Sequence, residues 1–365
     1  MNLCMNRLLT KLLAIVLAPW IFSACTTTLQ PDNSQTHQLA NTTADTVFPN
    51  FRITETVKLP GATRWDYLTL DSAAHRLYLT RGDSVDVFDT VAKRIVGSIA
   101  GTKGVHGVAL APALNRGFTS NGGNDTVTVF ALDTLKTMAT VATDKRPDAI
   151  IFDPSTQRIF TANAAGESLT AIDAMTLAPI RNIKLDGKPE FMAVDNNGRL
   201  FVNIEPKNQI TTVDTAKLDT TVKLDLSAVC DEPAGLSIDI ATMRLFAGCH
   251  NQRMAIVDGN TGEVLAAPAI GRGSDATVYD DALKTAISSN GEGTLTFIGQ
   301  AVNGSYLVKQ TLATMPGART MALDSKTHQI YLVAAEYEPA TTGADGKPMR
   351  PKAKVDSFTL ITVGP

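Results

Sequence analysis

The 365-residue sequence has little of what marks several large classes of protein. Aromatic residues make up only 6% of it, and its formal net charge is −3. Proteins that bind nucleic acids usually carry a basic excess or an array of aromatic side chains on which bases stack. The composition therefore argues against a nucleic acid as the partner.

Several short catalytic motifs are also missing. The sequence contains no phosphate-binding P-loop, no HExxH zinc motif, no GxSxG nucleophile elbow and no dinucleotide fingerprint in a strand–helix context. These absences disfavour the hydrolases and dehydrogenases that depend on such motifs. They do not exclude a metal site assembled from scattered carboxylates.

The first 24 residues are predicted to be a lipoprotein-type signal peptide. Arg7 and Lys11 flank the start of an apolar stretch that ends in LLAIVLAPWIF and is too short to span a bilayer comfortably. Ala24 directly before Cys25 resembles a bacterial lipobox, which would make Cys25 the lipidated mature N-terminus. Cleavage by ordinary signal peptidase near the same place is the alternative.

This export signal sets the expected location. Thr26 after the cysteine is typical of lipoproteins sorted to the outer membrane, so we expect a cell-envelope protein that faces the periplasm. Without lipidation it would be secreted to the periplasm. The lipid anchor would be its only contact with a membrane. Residues 25–50 are rich in Thr, Asn, Gln, Ser and Asp without apolar periodicity, which predicts a flexible tether.

Cysteine is scarce, with four residues in the chain. Removal of Cys4 and acylation of Cys25 would leave Cys230 and Cys249 as a pair in an oxidising compartment. The sequence therefore predicts a disulfide between them, with two buried free thiols as the alternative.

A repeat of roughly forty residues organises the chain after the tether. Each unit begins with a short apolar opening, which is followed by a turn and by further short β-branched runs. Such runs are typical of strands. The seven aligned openings are WDYLTLD (65–71), VHGVALA (105–111), PDAIIFD (147–153), PEFMAVD (189–195), PAGLSID (233–239), SDATVYD (274–280) and ARTMALD (318–324).

Four strands per unit predict an all-β fold, a seven-bladed β-propeller formed by residues 51–365 as one domain. The seventh unit supplies three strands, whereas FRITETVKLPG (51–61) has the pattern of an isolated fourth strand. We therefore predict that the N-terminal strand completes the last blade and closes the ring.

The repeats resemble a known family. TVTVFALDTLK, CDEPAGLSID, SSNGEGTLTFI and GARTMALDSKTHQIYL are similar to segments of the YncE-like branch of the YVTN-repeat propellers. The resemblance covers residues 51–365 and implies an exported seven-bladed protein. Because most members have no assigned reaction, it implies little chemistry.

Charged residues recur five positions before the end of most aligned openings. Because the first strand of a propeller blade lines the central channel, we predict that their side chains surround one mouth of the channel. The fifth unit has Ala234 at this position, and Glu232 is expected to fill the gap because it lies on the same side of an extended chain. The predicted ligand-binding ring is Asp66, His106, Asp148, Glu190, Glu232, Asp275 and Arg319.

Crowded carboxylates favour a bound cation or hold protons through raised pKa values. Oxygen ligands with one imidazole suit Ca²⁺, Mg²⁺ or Mn²⁺ better than a soft metal. Where the cofactor is a divalent cation such as Ca²⁺, its predicted ligands are Asp66, Asp148, Glu190 and Asp275. The alternative is a charged lining that only keeps the channel solvated.

Two functions remain open from the sequence. The first is a monomeric, non-catalytic binding or scaffolding protein that docks an envelope protein or a small ligand at the acidic mouth. The second is a metal-dependent hydrolase, similar to propeller lactonases, that uses the channel carboxylates. The sequence assigns no catalytic residue.

One insertion departs from the repeat. Residues 337–356, YEPATTGADGKPMRPKAKVD, fall between the second and third strands of the last unit, and they carry four basic side chains. We predict a loop on the same face as the ring, with a mobile cover over the mouth as the hypothesis and an ungated surface loop as the alternative.

Overall fold

The computed structural model describes residues 48–61, 64–339 and 352–365. The predicted signal peptide, Cys25, most of the tether and the centre of the insertion (340–351) lie outside the described residues. The regular secondary structure of the described part is almost entirely β-strand, with short 3₁₀ turns at Pro112–Leu114 and Glu205–Lys207. No helix in it has the length and apolar character needed to cross a membrane.

In the described residues, 27 strands form six antiparallel sheets. Four sheets each contain four strands that follow one another in the chain. They are β9–β12 (Pro147–Asp153, Arg158–Asn163, Ser168–Asp173, Pro179–Lys184), β13–β16 (Pro189–Val194, Arg199–Ile204, Gln209–Asp214, Asp219–Asp225), β17–β20 (Pro233–Asp239, Arg244–Cys249, Arg253–Asp258, Val264–Ala266) and β21–β24 (Ser274–Asp280, Thr285–Asn290, Thr294–Gln300, Tyr306–Ala313).

The first two repeats are joined in a seven-stranded sheet. One 18-residue strand, β5, pairs with β4 through its first half and with β6 through its second half. The fourth strand of the first repeat therefore continues directly into the first strand of the second, where the sequence predicted two separate strands. The members are β2 (Leu68–Asp71), β3 (Arg76–Thr80), β4 (Gly82–Asp89), β5 (Arg94–Ala111), β6 (Arg116–Asn121), β7 (Thr126–Ala131) and β8 (Thr137–Ala142).

The sixth sheet combines the two ends of the repeat array. It contains β25 (Met321–Asp324), β26 (Gln329–Ala334), β27 (Thr359–Gly364) and the early strand β1 (Arg52–Lys58). β1 pairs antiparallel with β27 from Arg52–Gly364 to Lys58–Thr359, so the predicted pairing of the N-terminal strand with the last unit is confirmed.

The packed region begins slightly earlier than predicted. The Phe48 ring, assigned to the tether from the sequence, lies 5.9 Å from the Phe297 ring. The Gln310 side chain then holds Phe51, because it donates to the Phe51 carbonyl at 2.7 Å and accepts from the Phe51 amide at 3.0 Å. The compact unit accordingly spans Phe48–Pro365.

Apolar side chains of the first three strands fill the space between neighbouring sheets. The cluster between the β13–β16 and β17–β20 sheets, for example, contains Phe201, Ile210, Leu236 and Leu245, all buried. Fourth strands are more exposed, as in β8 and β12. The first strand of each repeat contacts the first strand of the next, and β25 also contacts β2.

The aspartates that end the aligned openings organise the following turns. Asp153 accepts hydrogen bonds from the Ser155 amide and the Thr156 hydroxyl, and Asp239 accepts one from the Ala241 amide. Such turns let a short side chain mimic the backbone. The same arrangement recurs at the turn aspartates Asp71, Asp153, Asp195, Asp239, Asp280 and Asp324.

The predicted disulfide between Cys230 and Cys249 is confirmed. Both residues are fully buried, and their Cα atoms lie 5.4 Å apart. Cys249 ends β18, where it pairs with Pro233 at the start of β17. The bridge therefore ties the segment before β17 to the end of the neighbouring strand.

Candidate ligand-binding site

Polar side chains converge at the start of the first strands, at the end opposite the turn aspartates. In four sheets the side chain is carried by a β-bulge, an extra residue that re-aims a strand. The bulges lie between Val105 and Val108, between Pro147 and Ile150, between Pro189 and Met192, and between Ser274 and Ala276, and they carry His106, Asp148, Glu190 and Asp275.

Hydroxyl groups of adjacent sheets fix the backbone at this end. Ser120 on β6 donates to the Asp148 carbonyl, and Ser289 on β22 donates to the Arg319 carbonyl. Thr320 donates to the Asp66 carbonyl at 2.7 Å. Each bond joins one sheet to the next, so the position of one functional residue depends on its neighbour.

Three side chains form the tightest group. His106 Nδ1 lies 2.6 Å from Asp66 Oδ2 and 3.5 Å from Asp148 Oδ1. An ionised carboxylate can only accept, so Nδ1 donates to Asp66. One ligand atom from each residue lies within 4.8 Å of the others, an arrangement able to hold a metal ion.

Arg319 links one further carboxylate, that of Asp275, to this group. Its Nε donates to Asp275 Oδ2 at 2.5 Å, and its Nη2 lies 3.8 Å from Asp66 Oδ1. The side chains of Asp66, Asp275 and Arg319 are 18%, 25% and 32% exposed, so the pairs are only partly screened by solvent.

Glu190 belongs to the same site, but a lysine accompanies it. Lys188 forms ion pairs with Glu190 and with Glu205, the latter at 2.5 Å. Sequence reasoning missed this lysine because it lies two positions before the aligned one. The acidic cluster is hereafter Asp66, His106, Asp148, Glu190, Asp275 and Arg319.

Glu232 lies in a different group. Its carboxylate contacts His250 Nδ1 at 2.9 Å, and the side chain is 58% exposed. Ligand atoms of Glu205, Glu232 and His250 lie within 4.8 Å of one another. The structure thus places Glu232 in a second, more exposed cluster rather than among the half-buried carboxylates.

Two aromatic residues next to the acidic cluster were not predicted from the sequence. Tyr67 is 9% exposed, and its ring meets the Phe191 ring edge-on with centroids 4.8 Å apart. Burial, together with the charges of Asp148, Asp275, Asp66 and Glu190, raises the pKa of Tyr67 well above its ordinary value. The hydroxyl therefore stays protonated close to the acidic cluster. A sequence signal existed, since each ring directly follows a cluster member.

A small cavity of about 120 Å³ adjoins these rings. Apart from Tyr67 and Thr69, its lining is apolar, and four of its residues directly follow members of the acidic cluster in sequence. The lining residues are Tyr67, Leu68, Thr69, Gly107, Val108, Ala149, Ile150, Ile151, Phe191 and Met192.

Three carboxyl groups of the acidic cluster, those of Asp148, Glu190 and Asp275, are held in an environment that disfavours their charge. Burial raises the pKa of Asp275 to about 6, although Arg319 opposes the shift. Burial likewise raises the pKa of Asp148, with His106 opposing the shift. For Glu190, burial and the charge of Asp148 raise the pKa, while Lys188 favours the ionised form.

The pKa of His106 is shifted against the effect of burial. Burial alone disfavours the imidazolium, but the hydrogen bond to Asp66 and the charges of Asp148 and Asp66 outweigh it, so the pKa of His106 is raised. An incoming cation would offset the negative charge of the carboxylates, as the proton on His106 and the protons on the carboxyl groups with raised pKa values do. The arrangement is suited to binding positive charge.

Comparison with known proteins gives no family. No protein-family model matches the chain, and no curated protein shows significant sequence similarity to it.

Proposed function

We propose that the chain folds as a seven-bladed β-propeller of the YncE-like kind, closed by β1. Support comes from the four-stranded sheets, from the first-strand contacts that run from β2 through β25 and return to β2, and from the pairing of β1 with β27. The seven-stranded sheet then corresponds to two blades joined by β5.

The location we propose is the cell envelope, with Cys25 lipidated, the protein facing the periplasm and no contact with nucleic acid. The sequence signal around Ala24 and Cys25 supports this. Mass spectrometry of the protein expressed in a bacterial host tests it. Acylated Cys25 as the first residue is expected, and an unmodified N-terminus elsewhere would contradict lipidation.

The function that the site supports best is non-catalytic binding of a positively charged group, on a small ligand or an envelope protein, at the acidic cluster. One observation carries this proposal. Ligand atoms of Asp66, His106 and Asp148 lie within 4.8 Å of one another, and Arg319 pairs with both Asp66 and Asp275, so three carboxyl groups converge on one small region. Arg319, Lys188 and His106 offset the negative charge only in part.

Calorimetric titration with a panel of metal and organic cations tests the proposal. At least one member should bind the wild-type chain, and Asp148→Asn should weaken that binding about tenfold or more, because it removes a half-buried charge. The matched control is Asp133→Asn, an exposed aspartate outside the cluster. Failure of every cation to bind would contradict the proposal.

A metal-dependent hydrolase is the second candidate, and one observation favours it. The ligand atoms of Asp66, His106 and Asp148 lie within 4.8 Å of one another. Two carboxylates and an imidazole fit Mn²⁺ or Zn²⁺ as well as the Ca²⁺ predicted from the sequence. Metal analysis of the purified chain, with lactone and phosphoester hydrolysis measured before and after EDTA, distinguishes this candidate from simple binding.

A further inference from the structure

Two polar atoms close to the acidic cluster, one of them fully buried, form no hydrogen bond within the described residues. Within the described residues, the Tyr67 hydroxyl forms no hydrogen bond, although the side chain is nine-tenths buried. Asp148 Oδ1 is fully buried and also has no hydrogen-bond partner, since the Nδ1 proton of His106 is directed at Asp66. Buried polar groups without partners are rare and costly, so the buried Asp148 oxygen points to a ligand that donates a hydrogen bond. The Tyr67 oxygen is available to accept a second one.

A primary ammonium group meets the requirements of this place. It carries one positive charge and three N–H donors. Asp148 Oδ1 and the Tyr67 oxygen can each accept one donor. Asp66 can accept the third, because one of its carboxylate oxygens lies within 4.8 Å of one of Asp148.

The cavity beside Tyr67 adds a second requirement. It begins one residue after the charged positions, at Tyr67, Gly107, Ala149 and Phe191, and its remaining lining is almost entirely apolar. An engineered apolar cavity of about 150 Å³ holds benzene. By that measure, the cavity here accommodates about four to five carbon atoms.

We propose that the acidic cluster binds a primary alkylammonium ion, with the ammonium group between Asp148 and Tyr67 and a short alkyl chain in the apolar cavity. This inference rests on the proposed cation-binding function and names its ligand class. A bare metal ion would satisfy the carboxylates but would leave the apolar cavity without an occupant.

The test is a calorimetric titration of the full chain with methyl-, ethyl-, propyl-, butyl- and hexylammonium chloride. Each added methylene should tighten binding about fourfold, because burial of a CH₂ contributes about 0.8 kcal/mol. The gain should level off between butyl and hexyl, when the cavity is full. CaCl₂ and MnCl₂ serve as the inorganic comparison.

Two variants separate the two halves of the site. Tyr67→Phe should weaken all the amines by a similar factor and keep the dependence on chain length. Ala149→Val, which narrows the cavity, should abolish the gain in affinity from propyl onward and should weaken methylammonium, the shortest amine, least of all. Melting curves identify a variant that fails to fold, and Val108→Ala, which enlarges the cavity, then replaces Ala149→Val and should extend the gain to longer chains.

The outcomes distinguish the inference from the function on which it rests. If no cation binds, the proposed function fails and the inference fails with it. If metal ions or methylammonium bind as tightly as butylammonium, the cation-binding function stands and the alkylammonium inference is wrong.

Discussion

The first strands carry acidic residues at both ends, about five positions apart, and the two sets behave in opposite ways. At the turn end, hydrogen bonds outweigh burial and lower the pKa values of Asp153, Asp239 and Asp324. At the other end, burial dominates and raises the pKa values of Asp148 and Asp275. The same residue type in the same strands therefore has two different electrostatic states.

The difference lies in what each carboxylate accepts. Asp153 is 1% exposed but accepts hydrogen bonds from one amide and two hydroxyl groups of its own turn. Asp148 keeps one buried oxygen without a hydrogen-bond partner. A carboxylate satisfied by its own turn stabilises the fold, whereas an unsatisfied one is available to a ligand.

The largest expected effect is on the free energy of unfolding, and it comes from the disulfide that holds β17 and β18 together at the end nearest the acidic cluster. Loss of the disulfide through Cys230→Ser with Cys249→Ser should lower the free energy of unfolding by about 3 kcal/mol, as expected for a loop of this length. Urea unfolding of the double variant measures it, with the reduced wild type as the control. An unchanged unfolding midpoint would show that this end needs no cross-link.

The next effect contrasts the two acidic sets directly. Asp153→Ala should cost about 2 kcal/mol, because a buried carboxylate with three hydrogen bonds is lost. Asp148→Asn should be neutral or slightly stabilising, because it removes a charge that burial disfavours. Equal destabilisation by both in parallel urea titrations would contradict the comparison.

The smallest effect is a pH dependence. The pKa of Asp275 is raised in the folded state to about 6, so its ionisation disfavours folding and protonation relieves that cost. Protonation of Asp275 should therefore raise stability by about 1 kcal/mol between about pH 7.5 and about pH 5.5. The raised pKa values of Glu190 and Asp148 add to the rise in the wild type, so Asp275→Asn should reduce the rise by the share of Asp275 alone.

At the turn end, stability changes with pH in the opposite direction, and the change occurs at lower pH. Because the pKa of Asp153 is lowered, its contribution is present above the unfolded pKa and is lost as the pH falls through the folded value. Melting temperatures of the wild type and Asp275→Asn, measured from about pH 7.5 down to well below the ordinary aspartate pKa of about 3.9, cover both limbs. A wild type whose stability falls steadily from pH 7.5 would refute the assignment.

Much of the fold was predictable because the strand period and turn residues are local signals. The aligned openings, the β1–β27 pairing and the Cys230–Cys249 bridge follow from the sequence alone. The continuity of β5 did not, because the glycines at 101 and 104 resemble a loop in the sequence yet lie within the strand, both at positive φ.

The candidate site was predicted in outline only. The bulges carry Asp148, Glu190 and Asp275 at equivalent positions of their sheets. Alignment of the repeats in the sequence predicts this equivalence. The orientation of Glu232 toward His250 depends on the backbone of Glu232, whose φ is 51°, and the sequence pattern does not predict this conformation. The contact between Tyr67 and Phe191 spans three repeats, so no local pattern reveals it.

The pairing of β1 with β27 has a consequence for folding kinetics. Thr54 donates to the Thr362 carbonyl across 308 residues of sequence, and contacts this distant form slowly because loop closure precedes any gain. Until β1 arrives, β27 presents an open edge, which is a template for pairing with other chains. A circular permutant that joins β1 to β27 through a short linker would make this contact local. We expect such a chain to refold faster and to aggregate less, with its native stability little changed.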